Sequence, residues 1–185
     1  MGELLRINFF PRSHILDAGT KEKRLLTRDR VRYAVKRAEL KNSIKWFLKR
    51  RGITIKKPLT RERRAEINSL ALPELHYRLK GLELVESIVD ELDRRISVTA
   101  AEDRDATLID TILDVGAYTA LFLSSAFDDL DGFQDSKHAC ANLGLVPSLY
   151  QSGDISYTGH ITKQRNKWLR RNLIECASCE RILGR

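Results

Sequence analysis

The sequence predicts a mainly α-helical fold: a helical coiled-coil hairpin followed by a small all-helical domain that contains a helix-hairpin-helix-like element. Two observations lead to this prediction. Between residues 20 and 100, apolar side chains recur at helical or heptad spacing over long segments. After Thr107, shorter helical patterns are joined by tight turns. The chain has 185 residues, of which 42% are hydrophobic, so it can bury a real core.

The first element is a long helix, predicted over residues 20–51. Thr20 can cap its start, and Gly52 can end it. Apolar residues recur within it at helical spacing: Val31, Ala34, Val35, Ala38, Ile44, Phe47 and Leu48. These residues predict one buried face along most of the helix.

A second long helix is predicted from Leu75 to Ile96. Its main apolar positions lie one heptad apart, and three more fill the companion positions: Leu75, Leu82, Val89 and Ile96, then Leu79, Val85 and Leu92. This is the pattern of a coiled-coil seam. Pro58 and Pro73 break the chain between the long helices and leave a short helix near residues 60–70. The simplest arrangement is a helical hairpin.

Charge divides this hairpin into a basic and an acidic arm. Residues 21–64 contain 18 Lys and Arg against 4 acids, whereas residues 83–135 contain 14 acids against 3 Arg. Residues 160–185 return to basic, with 7 Lys and Arg against 2 Glu. The net charge of +8 favours a polyanionic partner such as nucleic acid over a neutral small substrate. The alternative interpretation of each charged segment is a solvent-exposed face that binds no partner.

The cysteines and the N-terminal stretch indicate a soluble, cytoplasmic protein. Cys140, Cys176 and Cys179 are an odd number without framework spacing, and no second ligand pair completes a zinc site. The stretch MGELLRINFFPRSHIL carries Arg6 and Pro11 among its apolar residues and lacks a cleavage site. No apolar segment reaches the ~18 residues of a membrane span. We therefore expect neither a membrane partner nor a metal held by this chain.

The stretch ILDVGAYTALFLSS outlines a helix-hairpin-helix, with Gly116 in the turn and a second helix beginning near Tyr118. Backbone amides at such a turn bind a DNA phosphate without reading sequence. Asp114 stands where a second glycine would relieve the backbone, and it adds a negative charge near the phosphate. Gly116 is thus a candidate DNA contact, and plain helix packing stays open as the alternative.

The stretch QSGDISYTGHITKQRNKWLRR follows a short helix that Gly144 closes. It places Ser152 and Gly153 in a loop of small polar residues. Such a pair is either a simple turn or a serine nucleophile held close to a phosphate. His160 is within reach by sequence, but no general base is evident.

A basic helix is predicted next, from Lys163 to about Leu183, with Thr162 as its cap. Lys163, Lys167 and Arg170 share one side of it, at i, i+4 and i+7. The adjacent stripe is apolar and consists of Leu169, Leu173 and Cys176. We therefore expect one side to pack and the other to face phosphate.

A series of short motifs begins at Leu108: Gly-x-x-Thr-Ala, Gly-Leu-x-Pro, Ser-Gly, Gly-His-Ile-Thr-Lys and Leu-Arg-Arg. In this order they resemble the C-terminal domain of the IS one-ten family, the bridge-RNA-guided insertion-sequence transposases related to the Piv-type DNA invertases. Upstream, LLRINFFPRSHILD and TKEKRLLTRDR resemble the family's linker and coiled-coil region. The resemblance divides the chain into a residual linker (1–19), a coiled-coil region (20–100) and a serine-bearing domain (105–185).

The resemblance implies a recombinase with a composite active site. In the family, an N-terminal RuvC-like domain supplies four carboxylates that hold divalent metal, here Mg²⁺, and the C-terminal domain supplies a serine that becomes covalently linked to DNA. Ser152 matches that serine by position. The candidate DNA-binding residues are Gly116, Gly153, Lys163, Lys167, Arg170 and Arg171. The implied partners are DNA, a structured guide RNA, and further copies of the chain, joined through the coiled coil.

The sequence also departs from the family pattern. It begins where the RuvC-like domain would already have ended, Leu-Asp-Val-Gly replaces the usual Pro-Gly-Ile-Gly, and Arg165 replaces a glycine. Without metal, Ser152 alone is expected to be a poor catalyst. Two hypotheses follow. The chain is a recombinase fragment that needs a RuvC-like domain in trans, or it is an inactive nucleic-acid-binding remnant that associates with intact transposase.

Overall fold

A computed structural model describes residues 16–53, 59–70, 72–127, 135–152, 155–162 and 167–182. Within these ranges the chain forms seven helices and one two-stranded antiparallel sheet, which confirms the mainly α fold class. The elements in chain order are α1 (Ala18–Arg50), α2 (Arg61–Asn68), α3 (Pro73–Glu102), α4 (Arg104–Asp110), α5 (Ala117–Phe127), α6 (Ser136–Asn142), β1 (Pro147–Ser152), β2 (Ile155–Ile161) and α7 (Lys167–Ile182).

The long helix α1 begins at a different cap from the one predicted. The Asp17 side chain accepts a hydrogen bond from the Thr20 backbone N–H at 2.8 Å, and the Thr20 hydroxyl donates to the same carboxylate at 2.7 Å. Asp17 therefore satisfies the free amide of the first turn, and the prediction of Thr20 as the cap is wrong. The helix ends as predicted before Gly52, whose φ of +77° suits glycine.

The two long helices form an antiparallel hairpin. Salt bridges join Lys23 near the start of α1 to Asp103 after the end of α3, Arg30 to Asp93, and Lys41 to Glu86. Residues later in α1 thus pair with residues earlier in α3, which shows that the two helices run antiparallel. The heptad positions of α3 are buried within this single chain: Leu75, Leu82, Val89 and Ile96.

The far end of the helical hairpin has its own apolar core. Ile44 and Leu48 of α1 pack with Leu75, Leu79 and Leu82 of α3, and the side chains of Leu59 and Ile67 complete the cluster. The short helix α2 lies over this core, with its Arg64 bonded to Glu86 of α3 at 2.6 Å. Pro73 stands in the first turn of α3, where its missing N–H costs nothing.

Two further cores join the near end of the helical hairpin to the C-terminal helices. One combines Val31 of α1 with Phe122, Leu123, Leu143 and Leu169. The other combines Ile96 and Ala100 of α3 with Ala106, Ala120 and Leu121. The C-terminal helices therefore pack directly on the base of the hairpin.

A polar junction connects the same elements. Arg30 of α1 bonds Asp93 of α3 at 2.9 Å, and its guanidinium lies 4.5 Å from the ring centroid of Tyr118 in α5. Burial raises the pKa of Tyr118, although a hydrogen bond with Asn172 of α7 acts in the opposite direction. Four helices thus meet at this junction, which fixes α7 relative to the hairpin.

The prediction of an all-helical C-terminal domain is wrong at one place. The polar loop predicted around Ser152 is a β-hairpin, in which β1 and β2 pair with Leu149 opposite Thr158 and Tyr150 opposite Tyr157. Strand-forming residues flank a Gly-Asp pair at positions 153 and 154, which is a recognised hairpin signal. Within the described residues, no helix has the length and apolar character needed to span a bilayer.

Candidate functional site

Ser152 is the last residue of β1 and is paired across the sheet with Ile155, the first residue of β2. It is exposed to solvent. The serine hydroxyl therefore lies at the end of a β-hairpin, where a phosphodiester can approach it. The pairing of β1 with β2 holds the serine more firmly than a polar loop would.

Two tyrosines share a face of the β-hairpin with Ser152. Side chains two residues apart on a strand point to the same side, which places Tyr150 beside Ser152, and Tyr157 lies opposite Tyr150. The two rings stack with centroids 5.0 Å apart and planes 14° from parallel. They are 55% and 60% exposed. Sequence reasoning missed this pair, although one tyrosine stands on each side of the Gly-Asp pair in the sequence.

His160 does not lie next to Ser152. The Ser148 hydroxyl donates to the backbone carbonyl of His160 at 3.2 Å, so His160 is level with Ser148 on the neighbouring strand. Ser148 and Ser152 are four residues apart, which corresponds to about 13 Å along a strand. His160 is therefore out of hydrogen-bonding reach of the Ser152 hydroxyl in this structure.

Gly159 is explained by packing inside the β-hairpin. A Cβ atom at this position would lie 2.4 Å from the Ser148 hydroxyl oxygen, which is closer than real contacts allow. The pairing also shifts register between Pro147 and Leu149, next to this close approach. The glycine of the Gly-His-Ile-Thr-Lys motif thus permits two strands to come together.

The basic residues of α7 divide into exposed and buried ones. Lys167 and Arg171 are exposed, and Arg171 forms an ion pair with Glu175 at 2.9 Å. Arg170 is only 8% exposed, and its guanidinium donates to the Leu143 carbonyl at 3.4 Å. This burial leaves Arg170 little surface for a DNA backbone, unlike Lys167 and Arg171. Its position indicates a structural role between α7 and the end of α6.

A turn joins α4 to α5. Asp114 lies in this turn, at the position where the resembled family usually has a glycine. Asp114 adopts a φ of +63°, in the left-handed region where glycine is favoured. Gly116 is exposed, a Cβ atom added to it would meet nothing within 4 Å, and its carbonyl accepts from Ala120 N–H at 3.0 Å. This geometry leaves both the phosphate-binding and the packing interpretation open.

Two candidate residues, Gly153 and Lys163, lie outside the described residues, as does most of the linker predicted over residues 1–19. Among the residues that are described, no group of three or more His, Cys, Asp or Glu could hold a metal ion. These described residues offer no carboxylate cluster that fits Mg²⁺.

Comparison with known proteins gives two findings. Residues 106–182 match the profile described as Transposase IS116/IS110/IS902 family, a range that includes both strands of the β-hairpin and all of α7. The chain is also 31% identical to the transposase for insertion sequence element IS1328 of Yersinia enterocolitica. That alignment covers 90% of this chain and 53% of the relative, so the chain spans about half the length of this curated protein.

Both matches are to transposases of insertion sequences. They support the resemblance of the chain's motifs to the IS116/IS110/IS902 family, the IS one-ten family.

Proposed function

We propose that this chain takes part in the transposition of an insertion sequence by cleaving and exchanging DNA strands with Ser152. The observation that supports the proposal best is the position of Ser152. An exposed serine stands at the end of a β-hairpin inside the family-matched region, next to two exposed aromatic rings. A simple turn serine would not require this arrangement.

In the proposed step, the Ser152 Oγ attacks a DNA phosphorus. The Oγ–P bond forms while the bond from phosphorus to one backbone oxygen breaks, and the DNA strand becomes esterified to the protein. The serine proton passes to a base and the leaving oxygen gains a proton. Lys167 and Arg171, which are exposed on α7 within the same family-matched region, are the proposed source of positive charge for the phosphate oxygens. Strand exchange follows when a hydroxyl of another strand attacks the phosphoserine ester.

A RuvC-like domain supplied in trans is part of the proposal, because the family resemblance implies that Mg²⁺ held by its carboxylates polarises the phosphate. A structured guide RNA is the proposed source of target choice. We also propose a cytoplasmic location, where both nucleic acids would be available.

Self-association is proposed through the helical hairpin, but not through its heptad seam. The seam residues are already buried against α1. Another set of apolar residues lies on the outer face of α3 and is exposed. It consists of Tyr77, Leu84 and Val98, which are 74%, 62% and 60% exposed. Their seven- and fourteen-residue spacing places them in one row, which would be the contact between copies.

The alternative function is nucleic-acid binding without chemistry, by a chain that associates with intact transposase. The exposed basic residues of α1 support it independently of Ser152. Salt-dependent binding without a covalent product would favour this alternative.

The two functions are separated by an assay for a covalent protein–DNA adduct on denaturing gels. End-labelled element DNA and the adjacent RNA are incubated with the full chain and Mg²⁺, with and without a purified RuvC-like domain. The Ser152→Ala variant removes the proposed nucleophile. The Ser156→Ala variant is the matched control, because Ser156 is an exposed hydroxyl on the paired strand.

The proposal expects an adduct with the unchanged chain and with Ser156→Ala, and none with Ser152→Ala. An adduct that survives Ser152→Ala would assign the nucleophile elsewhere. Absence of any adduct from folded, nucleic-acid-bound protein would leave the binding function as the better account.

A further inference from the structure

A cleft lies between the basic helix α1 and the C-terminal helices α5 and α7. Its volume is about 700 Å³, within the range of sites that hold small ligands. One wall is formed by α1, the opposite wall by the start of α7. We call it the basic cleft; the residues that matter for its chemistry are Arg28, Arg32, Phe122, Leu143, Lys167 and Trp168.

The basic cleft has a cationic rim. Arg28 and Arg32 lie one helical turn apart on the same face of α1 and are both exposed. Arg32 forms an exposed ion pair with Asp29 at 2.9 Å, a type of contact that contributes little and exchanges readily. Lys167 stands across from them at the start of α7 and is also exposed.

This rim differs from the part of α1 that is ion-paired with α3. Lys23, Arg30 and Lys41 are neutralised by acids on or next to α3. Arg24, next to the cleft, is also engaged, because its guanidinium donates to the backbone carbonyls of Ser125 and Ala126 at the end of α5. Among the described residues, no ion pair joins Arg28 or Arg32 to α3, so their charge stays available for an anion.

The floor of the basic cleft is apolar and aromatic. Phe122 and Leu143 are 3% and 7% exposed and form its base. Trp168 is partly buried among them, and the Lys167 ammonium lies 5.0 Å from its ring centroid. A flat apolar surface beside several cations matches a nucleotide, which has a planar base next to a charged phosphate.

We propose that the basic cleft binds an unpaired nucleotide in a single-stranded segment of nucleic acid. The base lies against Trp168, and the flanking phosphates contact Arg28, Arg32 and Lys167. A base within a duplex has both faces covered by its neighbours and cannot enter a concave site without being extruded. The inference rests on the proposed function only in that the chain binds nucleic acid; it does not require Ser152 chemistry.

The first experiment uses Trp168 as its own reporter. The chain contains two tryptophans, so Trp46→Phe leaves Trp168 as the single source of indole fluorescence. A homothymidine strand of about 12 nucleotides, a length within the usual site size of single-strand-binding surfaces, is titrated into the full-length variant. We expect saturable quenching with this strand, and affinity about tenfold weaker for a duplex of the same length.

The second experiment removes the rim. The double variant Arg28→Ala/Arg32→Ala is compared with Lys45→Ala/Lys49→Ala, which removes the same charge at the same spacing from an exposed part of α1 away from the cleft. Loss of two phosphate contacts should weaken binding about tenfold and lower the salt slope by about 1.4. The lysine pair should retain Trp168 quenching at saturation. Far-UV circular dichroism verifies that each variant is folded.

A third variant tests the floor. Trp168→Phe keeps an aromatic surface, whereas Trp168→Leu keeps only the apolar volume. Binding of the labelled strand, followed by anisotropy, should weaken by about threefold or more between them, because stacking is lost only in the leucine variant.

The inference is overturned if the strand binds without quenching Trp168, if both double variants lose affinity equally, or if duplex binds as well as single strand. It also falls if no strand binds. Its failure is distinguishable from failure of the proposed function, because Ser152→Ala should bind the strand normally. An adduct assay that succeeds while Trp168 stays unquenched removes the inference and leaves the function intact.

Discussion

The helical hairpin of α1 and α3 and the β-hairpin of β1 and β2 are both antiparallel pairs of chain segments, but they use their apolar residues differently. In the helical hairpin the heptad residues are fully buried, and opposite charges meet across the pair. In the β-hairpin, Leu149, Tyr150 and Tyr157 remain more than half exposed. The heptad residues of the helical hairpin are covered within the chain, whereas the β-hairpin keeps a stacked aromatic pair on its surface.

This difference favours the β-hairpin over the long helices as the functional surface. The charge runs of the long helices suggest two opposing surfaces, yet part of that charge is paired within the chain, as between Lys41 and Glu86. Burial raises the pKa of Glu86, but hydrogen bonds from Arg64 and Lys41 outweigh this and lower it overall. The exposed aromatic face beside Ser152 has no such internal explanation.

The largest expected effect comes from breaking the helical hairpin core. Leu82→Ala removes a side chain with no exposed surface and should lower the free energy of unfolding by about 2–5 kcal/mol. Leu25→Ala on α1 is the matched control, since Leu25 is 58% exposed and lies outside the proposed contact between copies. Urea unfolding followed by circular dichroism compares them. Equal losses would show that the hairpin is not packed as described.

An intermediate effect is expected at the base of the helical hairpin. The Asp103 carboxylate is bonded by Lys23, by the Ala106 backbone N–H at 2.7 Å and by the Ser124 hydroxyl at 3.0 Å. Asp103→Asn keeps a capping side chain but loses the charge, so unfolding should become easier by about 1–3 kcal/mol. Asp105→Asn, an exposed acid in the same helical turn, should cost less than about 1 kcal/mol.

The Asp103 effect should also depend on pH. Burial raises the pKa of Asp103, but hydrogen bonds from Lys23, Ala106 and Ser124 outweigh it, so the folded-state pKa lies below the ordinary 3.8. Its stabilisation is therefore complete above that value and is lost as the pH falls through the depressed pKa. The stability difference between the unchanged chain and Asp103→Asn should shrink from neutral pH to about pH 3. A difference that grows on acidification would contradict this assignment.

The smallest effect on stability is expected in the β-hairpin. Tyr157→Leu removes one ring of the stacked pair and should cost less than about 1 kcal/mol, the usual value of a cross-strand pair. Thermal unfolding at matched concentration measures it. A loss as large as that of Leu82→Ala would mean that the tyrosines are structural, and the contrast between the two hairpins would disappear.

The long helices are predictable because their periodicity extends over many turns: the helix predicted over residues 20–51 corresponds to α1, and the Leu75–Ile96 seam lies within α3. The β-hairpin escapes prediction because six- and seven-residue strands carry little periodic signal, and a Ser-Gly pair is equally typical of a loop. The burial of Arg170 escapes prediction for another reason. Spacing shows which residues share a side of a helix, but a long side chain next to buried Leu169 can turn inward when a carbonyl such as that of Leu143 accepts its hydrogen bond.

The antiparallel arrangement of α1 and α3 also determines where the chain enters and leaves the helical hairpin. A 33-residue helix is about 50 Å long, so the chain extends about this far along α1 and returns along α3. Asp17 before α1 and Asp103 after α3 are consequently brought to the same end, where Lys23 bonds Asp103. Two segments about eighty residues apart in sequence therefore lie side by side, so the helical hairpin is an insertion whose two ends are adjacent in space.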